Sequence, residues 1–547
     1  MSNRYKGGII SATPPATSTS KGVWTLTQQM QAVGSGVWPT IPGEPTSVSA
    51  TGDNASAIVT FVAPSYAGYP ATITGYLATS TPGSFTATGA SSPLTVTGLT
   101  NGTSYTIAVQ ALNVAGYGPA GTSGSVTPFN PYFIALIKPT SGSYYLQGQA
   151  SYNAIASDGY YIVGGDTSGG KISKISFEGT NTFTNNVTSV NENGQDNSEY
   201  FETVHVASSG NVYTGGYVGA PAGTGSYISK FDSSGNSTWT RQLRSFTYDT
   251  FGITTDSSEN VYFTGGSTSN YGSYDTSTRM PVASFNSSGT LRWQTRYGTS
   301  TSGFVGFTPV VSGSSVYIAG NNYQNSYVRR GVLVKLSSST GALEDQKAFD
   351  SNSSFMDIAV GGSGALYIAG SQTSPNRVVI LKTNGSTRTW ASTLATGYEV
   401  CRVAVDSSEN AYMLTRVSSP DANNLVIAKF NSSGTIQWQR ILTLPMEPSG
   451  YQDISVNSTG RILVSTQINV SSQYYPFFAV LSPDGSGTGT YTLDGLTYTY
   501  AASSYTISTS STDFVTPTET VEVQTRTNYN FSNTPATFSV SIPKTAV

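Results

Sequence analysis

The sequence is poor in the residues that most often carry catalysis and metal binding. Its 547 residues include one cysteine, Cys401, and one histidine, His205. A single cysteine cannot form a disulfide within the chain, and a zinc site of the cysteine/histidine type needs more ligands than these two residues supply. We therefore expect a fold of this size to be stabilised by its packing, without disulfides or such a zinc centre.

Charge is also scarce, since only 10% of the residues are charged and the formal net charge is −3. This composition lacks the basic field that attracts nucleic acid or anionic lipid. No stretch approaches the roughly 20 apolar residues of a membrane-spanning helix, and residues 1–15 lack the apolar run of a signal peptide. We expect no nucleic-acid partner, no membrane insertion, and synthesis in a cytoplasm without an export signal.

The abundant residues are glycine, serine, threonine and tyrosine, with aromatic residues making up 12% of the chain. Low charge combined with many aromatic side chains argues against a disordered chain. Serine, threonine, tyrosine and glycine are instead typical of short strands that are joined by tight turns. The length predicts two to four domains.

One pattern occurs seven times between about residues 150 and 470. A short apolar strand leads into a Gly/Ser/Asn/Asp turn and then into a strand with an aromatic or apolar landmark residue. The landmarks are Tyr161, Tyr213, Tyr262, Tyr317, Tyr367, Tyr412 and Leu463. A second hairpin with an Asp/Asn-Ser-Ser-Gly type of turn follows most copies, as in 228–242 and 427–440. Four strands repeated about every 50 residues are typical of a β-propeller blade.

The seven copies favour seven blades. A further copy of the second hairpin, at 133–147, precedes the first complete unit. It either closes the ring with the last blade or, if residues 494–508 pair with it, forms an eighth blade. The fold class that follows is all-β: a sandwich domain, then a seven-bladed propeller with eight blades as the alternative, then a C-terminal β segment.

We divide the chain into an N-terminal arm (1–40), a β-sandwich (41–128), the propeller (129–493) and a C-terminal segment of alternating polarity (494–547). Within the arm, residues 25–33 predict a short helix with Thr25 as its N-cap. Trp24 and Trp38 flank this helix, and either dock onto another protein or fold back onto the sandwich. The C-terminal segment either lies on the propeller or pairs with a partner subunit.

The sandwich resembles a fibronectin type III module. The resemblance is carried by GLTNGTSYTIAVQALNVAGYGP (98–119), in which Leu99 and Tyr105 occupy the places of the family's tyrosine corner. The core tryptophan of the family is replaced by Val59 or Phe61. The resemblance implies an immunoglobulin-like sandwich, and such modules act as spacers more often than as binding heads.

We find no residues to which a catalytic, cofactor-binding or metal-binding role can be assigned. The densest acidic run holds Glu192, Asp196, Glu199 and Glu202, which could act as a carboxylate pair or as calcium ligands but more simply form a solvated loop. His205 is expected to be merely hydrogen-bonded, and Cys401 to be a small buried apolar residue. We therefore predict a protein that is not an enzyme and that has no cofactor.

The second hairpin, with Trp239, Trp293 and Trp438, is similar to the blade signature of quinoprotein-type propellers. The calcium ligands and vicinal cysteines of that family cannot be mapped onto this sequence. The boxes of sialidase-like propellers fail in register, and Arg329–Arg330 is the only dense arginine pair. We expect these tryptophans to wedge between adjacent blades instead.

The arm sequences YKGGIISATPP and GVWTLTQQMQAVGSGVWP resemble the arms of virion structural proteins of marine bacteriophages, especially cyanophages. The resemblance implies a tail fibre, tail-associated or surface-decorating protein that is assembled in the host cytoplasm, in multiple copies per virion. Its partners would be other virion proteins, through the arm, and a host-surface glycan or protein. The alternative is a polysaccharide-degrading propeller enzyme, which would need a carboxylate pair at the central channel or one loop face. A cellular adhesin would need an export signal.

Overall fold

The structure is a computed structural model, in which the following residues are described: 26–35, 39–69, 71–139, 152–166, 169–189, 199–218, 225–243, 250–265, 280–297, 303–325, 328–351, 353–373, 376–395, 401–417, 422–471, 473–503, 505–509, 529–531, 533–537, 540–541 and 544–546. The chain divides into two compact units, Met1–Pro131 and Tyr132–Val547. Almost all of the described regular structure is β-strand.

The first unit begins with the predicted helix, α1 (Leu26–Gly34). Leu26 and Met30, one helical turn apart, are 72% and 66% exposed. Side chains four positions apart lie on the same face of a helix, so these two form an exposed apolar strip. Thr25, Trp24 and Trp38, to which a cap and docking roles were assigned, lie outside the described residues.

The rest of the first unit is a seven-stranded β-sandwich. One sheet has the order β1-β2-β5 and the other β4-β3-β6-β7. Val59 and Phe61, which were expected to replace the core tryptophan of the family, are both buried in the core of the sandwich. The backbone N–H of Thr100 donates to the Tyr105 hydroxyl at 3.0 Å, as a tyrosine corner requires. The strands are β1 (Thr46–Asp53), β2 (Ser56–Val62), β3 (Gly75–Thr81), β4 (Thr86–Gly89), β5 (Leu94–Thr97), β6 (Thr106–Asn113) and β7 (Gly116–Thr122).

The second unit starts with two short strands, β8 (Phe133–Leu136) and β9 (Lys138–Pro139), and continues with seven antiparallel blades. Blade 1 consists of β10 (Tyr152–Ala156), β11 (Gly159–Asp166), β12 (Gly169–Ile175) and β13 (Asn181–Ser189), and blade 2 of β14 (Glu199–Val206), β15 (Val212–Val218), β16 (Gly225–Phe231) and β17 (Ser237–Leu243). Blade 3 consists of β18 (Thr250–Thr255), β19 (Val261–Gly265), β20 (Met280–Phe285) and β21 (Leu291–Tyr297), and blade 4 of β22 (Gly303–Ser312), β23 (Ser315–Asn325), β24 (Val328–Ser337) and β25 (Leu343–Ser351).

Blades 5 to 7 complete the ring. They consist of β26 (Ser353–Val360), β27 (Leu366–Thr373), β28 (Asn376–Thr383), β29 (Arg388–Leu394); β30 (Cys401–Val405), β31 (Ala411–Arg416), β32 (Asn424–Phe430), β33 (Ile436–Thr443); and β34 (Ser449–Val456), β35 (Ile462–Val470), β36 (Gln473–Leu481). The first strands of the seven blades contact one another in cyclic order, because β34 packs against β10. The unit is therefore a seven-bladed β-propeller, as the repeat predicted.

Blade 7 takes its fourth strand from the start of the unit. Strand β8 pairs with β36, with Phe133 opposite Val480 and Leu136 opposite Phe477. Of the two alternatives for residues 133–147, closure of the ring with the last blade is the one found for 133–136. The eight-blade alternative is wrong, because the hairpin that starts at residue 489 pairs with blade 6 and not with β8.

The C-terminal segment lies on the propeller of its own chain, where it adds outer strands to five blades. Its strands are β37 (Gly489–Leu493), β38 (Leu496–Ala502), β39 (Ile507–Thr509), β40 (Tyr529–Phe531), β41 (Asn533–Thr537), β42 (Val540–Ser541) and β43 (Lys544–Ala546). They extend blade 6 through β38, blade 5 through β39, blade 2 through β40, blade 1 through β41 and blade 7 through β43. Strand β8 is thus held between β36 and β43.

Tryptophans wedge between adjacent blades, as predicted. In four blades the indole N–H donates to a backbone carbonyl in the turn of the next blade, at 3.0–3.1 Å; the pairs are Trp239 with Ser287, Trp293 with Ser338, Trp390 with Ser432 and Trp438 with Pro483. A glycine of that same turn lies against each ring, so close that an added Cβ would come within 3 Å of it. Burial of one such ring stabilises the fold by about 2–3 kcal/mol.

Ion pairs cross the same seams. Lys230 Nζ lies 2.9 Å from a carboxylate oxygen of Glu259 in the next blade and 5.2 Å from the ring centre of Tyr213. Lys382 and Glu409 form the equivalent pair at 2.8 Å. Both glutamates have positive φ, 57° and 62°, at a turn position where other copies have glycine. Their side chains reach the preceding blade, and this contact offsets the backbone strain.

Candidate binding site at the central channel

The first strands of all seven blades surround a cavity of about 340 Å³ on the axis of the ring. In each blade, the turns between the first and second strands and between the third and fourth strands lie at one end. The first strands therefore begin at the other end.

Polar side chains occupy equivalent positions in six of these strands, three or four residues before the strand ends. They are Asn153, Thr203, Thr308, Asp357, Arg402 and Asp453. In the four strands that carry Thr203, Thr308, Asp357 and Asp453, the pairing register shifts at or just before this position. Such β-bulges redirect a side chain and are common beside functional sites. The next position of each strand is mostly apolar, as in Val204, Ile358, Val403 and Ile454.

Asp357 connects three blades. Its Oδ1 accepts a hydrogen bond from the Thr308 hydroxyl at 2.6 Å, and its Oδ2 accepts one from the Val403 N–H at 2.9 Å. Burial raises the pKa of Asp357, whereas the positive charge of Arg402 and these hydrogen bonds oppose the rise. The carboxyl group therefore ties blade 5 to blades 4 and 6.

Asp453 connects the last blade to the first. Its Oδ2 accepts from the backbone N–H of Asn153 at 2.9 Å, and the Ser455 hydroxyl donates to the Asn153 carbonyl at 3.0 Å. Burial raises the pKa of Asp453 to about 7; the Asp357 charge acts in the same direction, and Arg402 acts against it. At neutral pH this carboxyl group is therefore only partly ionised.

Arg402 lies on blade 6, between the two acidic blades, and is 6% exposed. Its guanidinium donates to the Met356 carbonyl at 3.1 Å and to the Tyr152 hydroxyl at 3.3 Å. The guanidinium carbon lies 5.7 Å from the centre of the Tyr152 ring, a cation–π distance. The channel thus carries two carboxyl groups and one cation on three consecutive blades.

Half of the acidic run that was considered as a site lies outside the described residues. Glu192 and Asp196 lie outside the described residues, and Glu199 and Glu202 lie on β14. Arg330 lies on β24, where it is half-buried and away from the channel. No cluster of three or more His, Cys, Asp or Glu side chains suited to a metal ion is present in the described part of the chain.

His205 is hydrogen-bonded and Cys401 is buried, as the sequence predicted. His205 lines the cavity, with Nε2 3.0 Å from the Thr255 hydroxyl, and burial lowers its pKa to about 4, so the ring is neutral. Cys401 is fully buried, and its burial raises the pKa of the thiol. Among the described residues, the hydrogen-bond partner of His205 is a threonine hydroxyl, and Cys401 is a free, buried thiol.

Sequence reasoning missed Asp357, Arg402 and Asp453. A signal was present, since each of these charged residues interrupts an apolar first strand just before the repeated turn, as in MDIAV and QDISV. The repeat is recognisable by its turns and by the landmark residue of the second strand, which most copies share. The channel position differs from copy to copy, so the repeat pattern does not mark it.

Comparison with known proteins identifies one domain. Residues 43–127 match the fibronectin type III domain family, which confirms the resemblance found in the sequence. No curated protein matches the chain. Among the described helices, none is long and apolar enough to cross a membrane.

Solved structures match the chain at low similarity. The polysaccharide lyase Uly1 is 8% identical, with 64% of this chain and 98% of that chain covered and a TM-score of 0.38. The subtype N10 neuraminidase-like protein of A/little yellow-shouldered bat/Guatemala/060/2010 is 10% identical, with coverages of 63% and 97% and a TM-score of 0.33. A Synechocystis apocarotenoid oxygenase variant is 7% identical, with coverages of 66% and 87% and a TM-score of 0.32.

Proposed function

We propose that the chain is a non-enzymatic structural protein of a bacteriophage virion. In this proposal it is a tail fibre, tail-associated or surface-decorating protein that is assembled in the host cytoplasm and present in multiple copies. Residues 1–40 attach it to other virion proteins, and the propeller binds a glycan or protein at the host surface. The proposal starts from the resemblance of the arm to virion proteins of marine phages.

The acidic residues of the channel support the non-enzymatic part of the proposal. Asp357 and Asp453, which could act as an acid–base pair, both hold neighbouring blades together through backbone N–H groups. A hydrogen bond from a backbone N–H fixes the position of the carboxyl oxygen that accepts it. These residues therefore have a sufficient structural role.

The arm offers support of a second kind. Leu26 and Met30 expose an apolar strip on α1, and a helix of nine residues is marginally stable without a tertiary partner. Amphipathic helices commonly dock by placing such a strip in an apolar groove. We assign that groove to another virion protein.

Immunoelectron microscopy of purified virions, with an antibody raised against residues 129–493, tests the assignment. We expect label on a tail or capsid projection. A chain that lacks residues 1–40 should keep the thermal transition of the propeller but should not be incorporated into virions. Virions without label, from lysates in which the protein is detected, would contradict the proposal.

A second function is favoured by one observation, the two carboxyl groups with raised pKa at one cavity. A polysaccharide-degrading enzyme needs one protonated and one ionised carboxyl group near its substrate. Release of reducing ends from host envelope polysaccharide by the wild-type protein, and its loss in Asp357→Asn and Asp453→Asn variants, would establish this activity. We expect no release from the wild-type protein.

A further inference from the structure

We propose that the channel cavity binds one neutral glycosyl unit of the host surface, through Asp357, Arg402 and Asn153. This inference rests on the proposed function, to which it adds a site and a ligand class. Its three parts are the mixture of charges in the cavity, an acceptor atom without a partner, and the size of the space.

The charges select against ions. A cation would be attracted by Asp357 and Asp453 but repelled by Arg402 on the blade between them. An anion meets the opposite combination. Vicinal hydroxyl groups can donate to a carboxylate and accept from a guanidinium at the same time, so a sugar satisfies both kinds of group. A carboxylate has about four acceptor positions, which leaves room for a hydroxyl beside the bonds to Thr308 and Val403.

Asn153 supplies an independent observation. Its side chain is 3% exposed and lines the cavity, and its Nδ2 donates to Ser465 at 2.8 Å. Its Oδ1 has no hydrogen-bond partner among the described residues. A buried acceptor without a donor costs about 1–3 kcal/mol. The oxygen is itself buried, so a rotation of the Asn153 side chain would let a ligand hydroxyl donate to it and remove the penalty.

The cavity has the size and the mixed lining of a small-ligand site. Its volume of about 340 Å³ lies at the lower end of the roughly 300–1,000 Å³ of such pockets. Ile155, Val204, Val310 and Ala359 add apolar surface between the polar groups. This combination suits the C–H faces and the hydroxyls of a single sugar ring.

Titration of the full-length protein with methyl glycosides of glucose, galactose and mannose, followed by saturation-transfer NMR and calorimetry, tests the proposal. We expect saturable binding of at least one neutral glycoside. Its glucosamine and glucuronic acid counterparts should bind at least tenfold more weakly, because each brings a charge that one wall of the cavity repels. Equal or tighter binding of a charged counterpart would overturn the charge argument.

Two substitutions locate the site. Ala359→Phe adds a ring at a position that lines the cavity, where the alanine also packs against the core between blades 5 and 6, and should abolish binding. Ala342→Phe is the matched control, because Ala342 is exposed in the turn between β24 and β25. Asp357→Asn removes the charge and leaves one acceptor oxygen in place of two, and should weaken binding at least tenfold. Binding is compared only between proteins whose propeller melts at the wild-type temperature.

Failure of this inference can be told apart from failure of the proposed function. If host cells bind the wild-type protein and the Ala359→Phe variant equally, the channel site is refuted, whereas host-surface binding stands. If neutral glycosides bind in the channel but virions carry no label, the site stands and the virion assignment fails. Absence of saturable binding by all three neutral glycosides refutes the site.

Discussion

Replacement of Gly434 by alanine should weaken the seam between blades 5 and 6. Gly434 has a φ of +83°, and an added Cβ would lie 2.6 Å from Cδ2 of Trp390. The left-handed backbone alone costs a residue with a side chain about 1–2 kcal/mol. Displacement of a packed ring costs about 1–3 kcal/mol more. The ring would also lose its hydrogen bond to the Ser432 carbonyl, now 3.1 Å long. We expect a total loss of about 2–5 kcal/mol.

Gly313→Ala is the matched control. Gly313 also has a positive φ, +61°, but an added Cβ there would meet no atom within 4 Å. Its loss should therefore be the backbone cost alone, about 1–2 kcal/mol. Calorimetry of the propeller transition measures both variants. Combined with Trp390→Ala, Gly434→Ala should cost no more than Gly313→Ala, because no ring remains to be displaced. Equal losses in the two single variants would refute the wedge as a source of stability.

Three further predictions concern charge and closure. At pH 8, Asp453→Asn should be more stable than the wild type by at most about 4 kcal/mol. Near pH 4 the two proteins should be equally stable. The pKa of Asp453 is raised to about 7 in the fold, so wild-type stability falls from pH 4 to 7; urea unfolding at the two pH values tests this. Glu259→Gln should lower the free energy of unfolding by about 1–3 kcal/mol in the same assay at pH 7, because Lys230 loses its charged partner. An unchanged free energy would mean that the ion pair contributes no net stabilisation. Deletion of residues 540–547 removes β43 from β8 and should lower the calorimetric melting temperature, and an unchanged transition would exclude a stabilising role.

The repeat and the sandwich could be predicted from the sequence because they depend on local signals. Glycine and aspartate or asparagine recur in the turns about every 50 residues. Six of the second strands contain a tyrosine and four of the fourth strands contain a tryptophan. The tyrosine corner at Tyr105 is equally local, since its hydrogen bond spans five residues.

The destination of the C-terminal strands could not be predicted. Strands such as β39, with three residues opposite Ser392–Leu394, pair through backbone atoms and need no particular side chain. Any exposed blade edge satisfies such a strand, so the sequence leaves pairing in cis and in trans equally open. The channel site was missed for a related reason. Asp357, Arg402 and Asp453 come from three blades, and only the closed ring brings them around one cavity.

Closure by β8 has a consequence for synthesis on the ribosome. Strand β8 ends at residue 136, but its partner β36 begins at residue 473. At about 5–20 residues per second, translation of the intervening chain takes on the order of 20–70 seconds. During that time the apolar residues of β8 have no sheet to join, and the earlier blades wait as an open arc. The ring can form only after nearly the whole chain has been translated, which makes the nascent protein a client for chaperones that cover exposed strand edges.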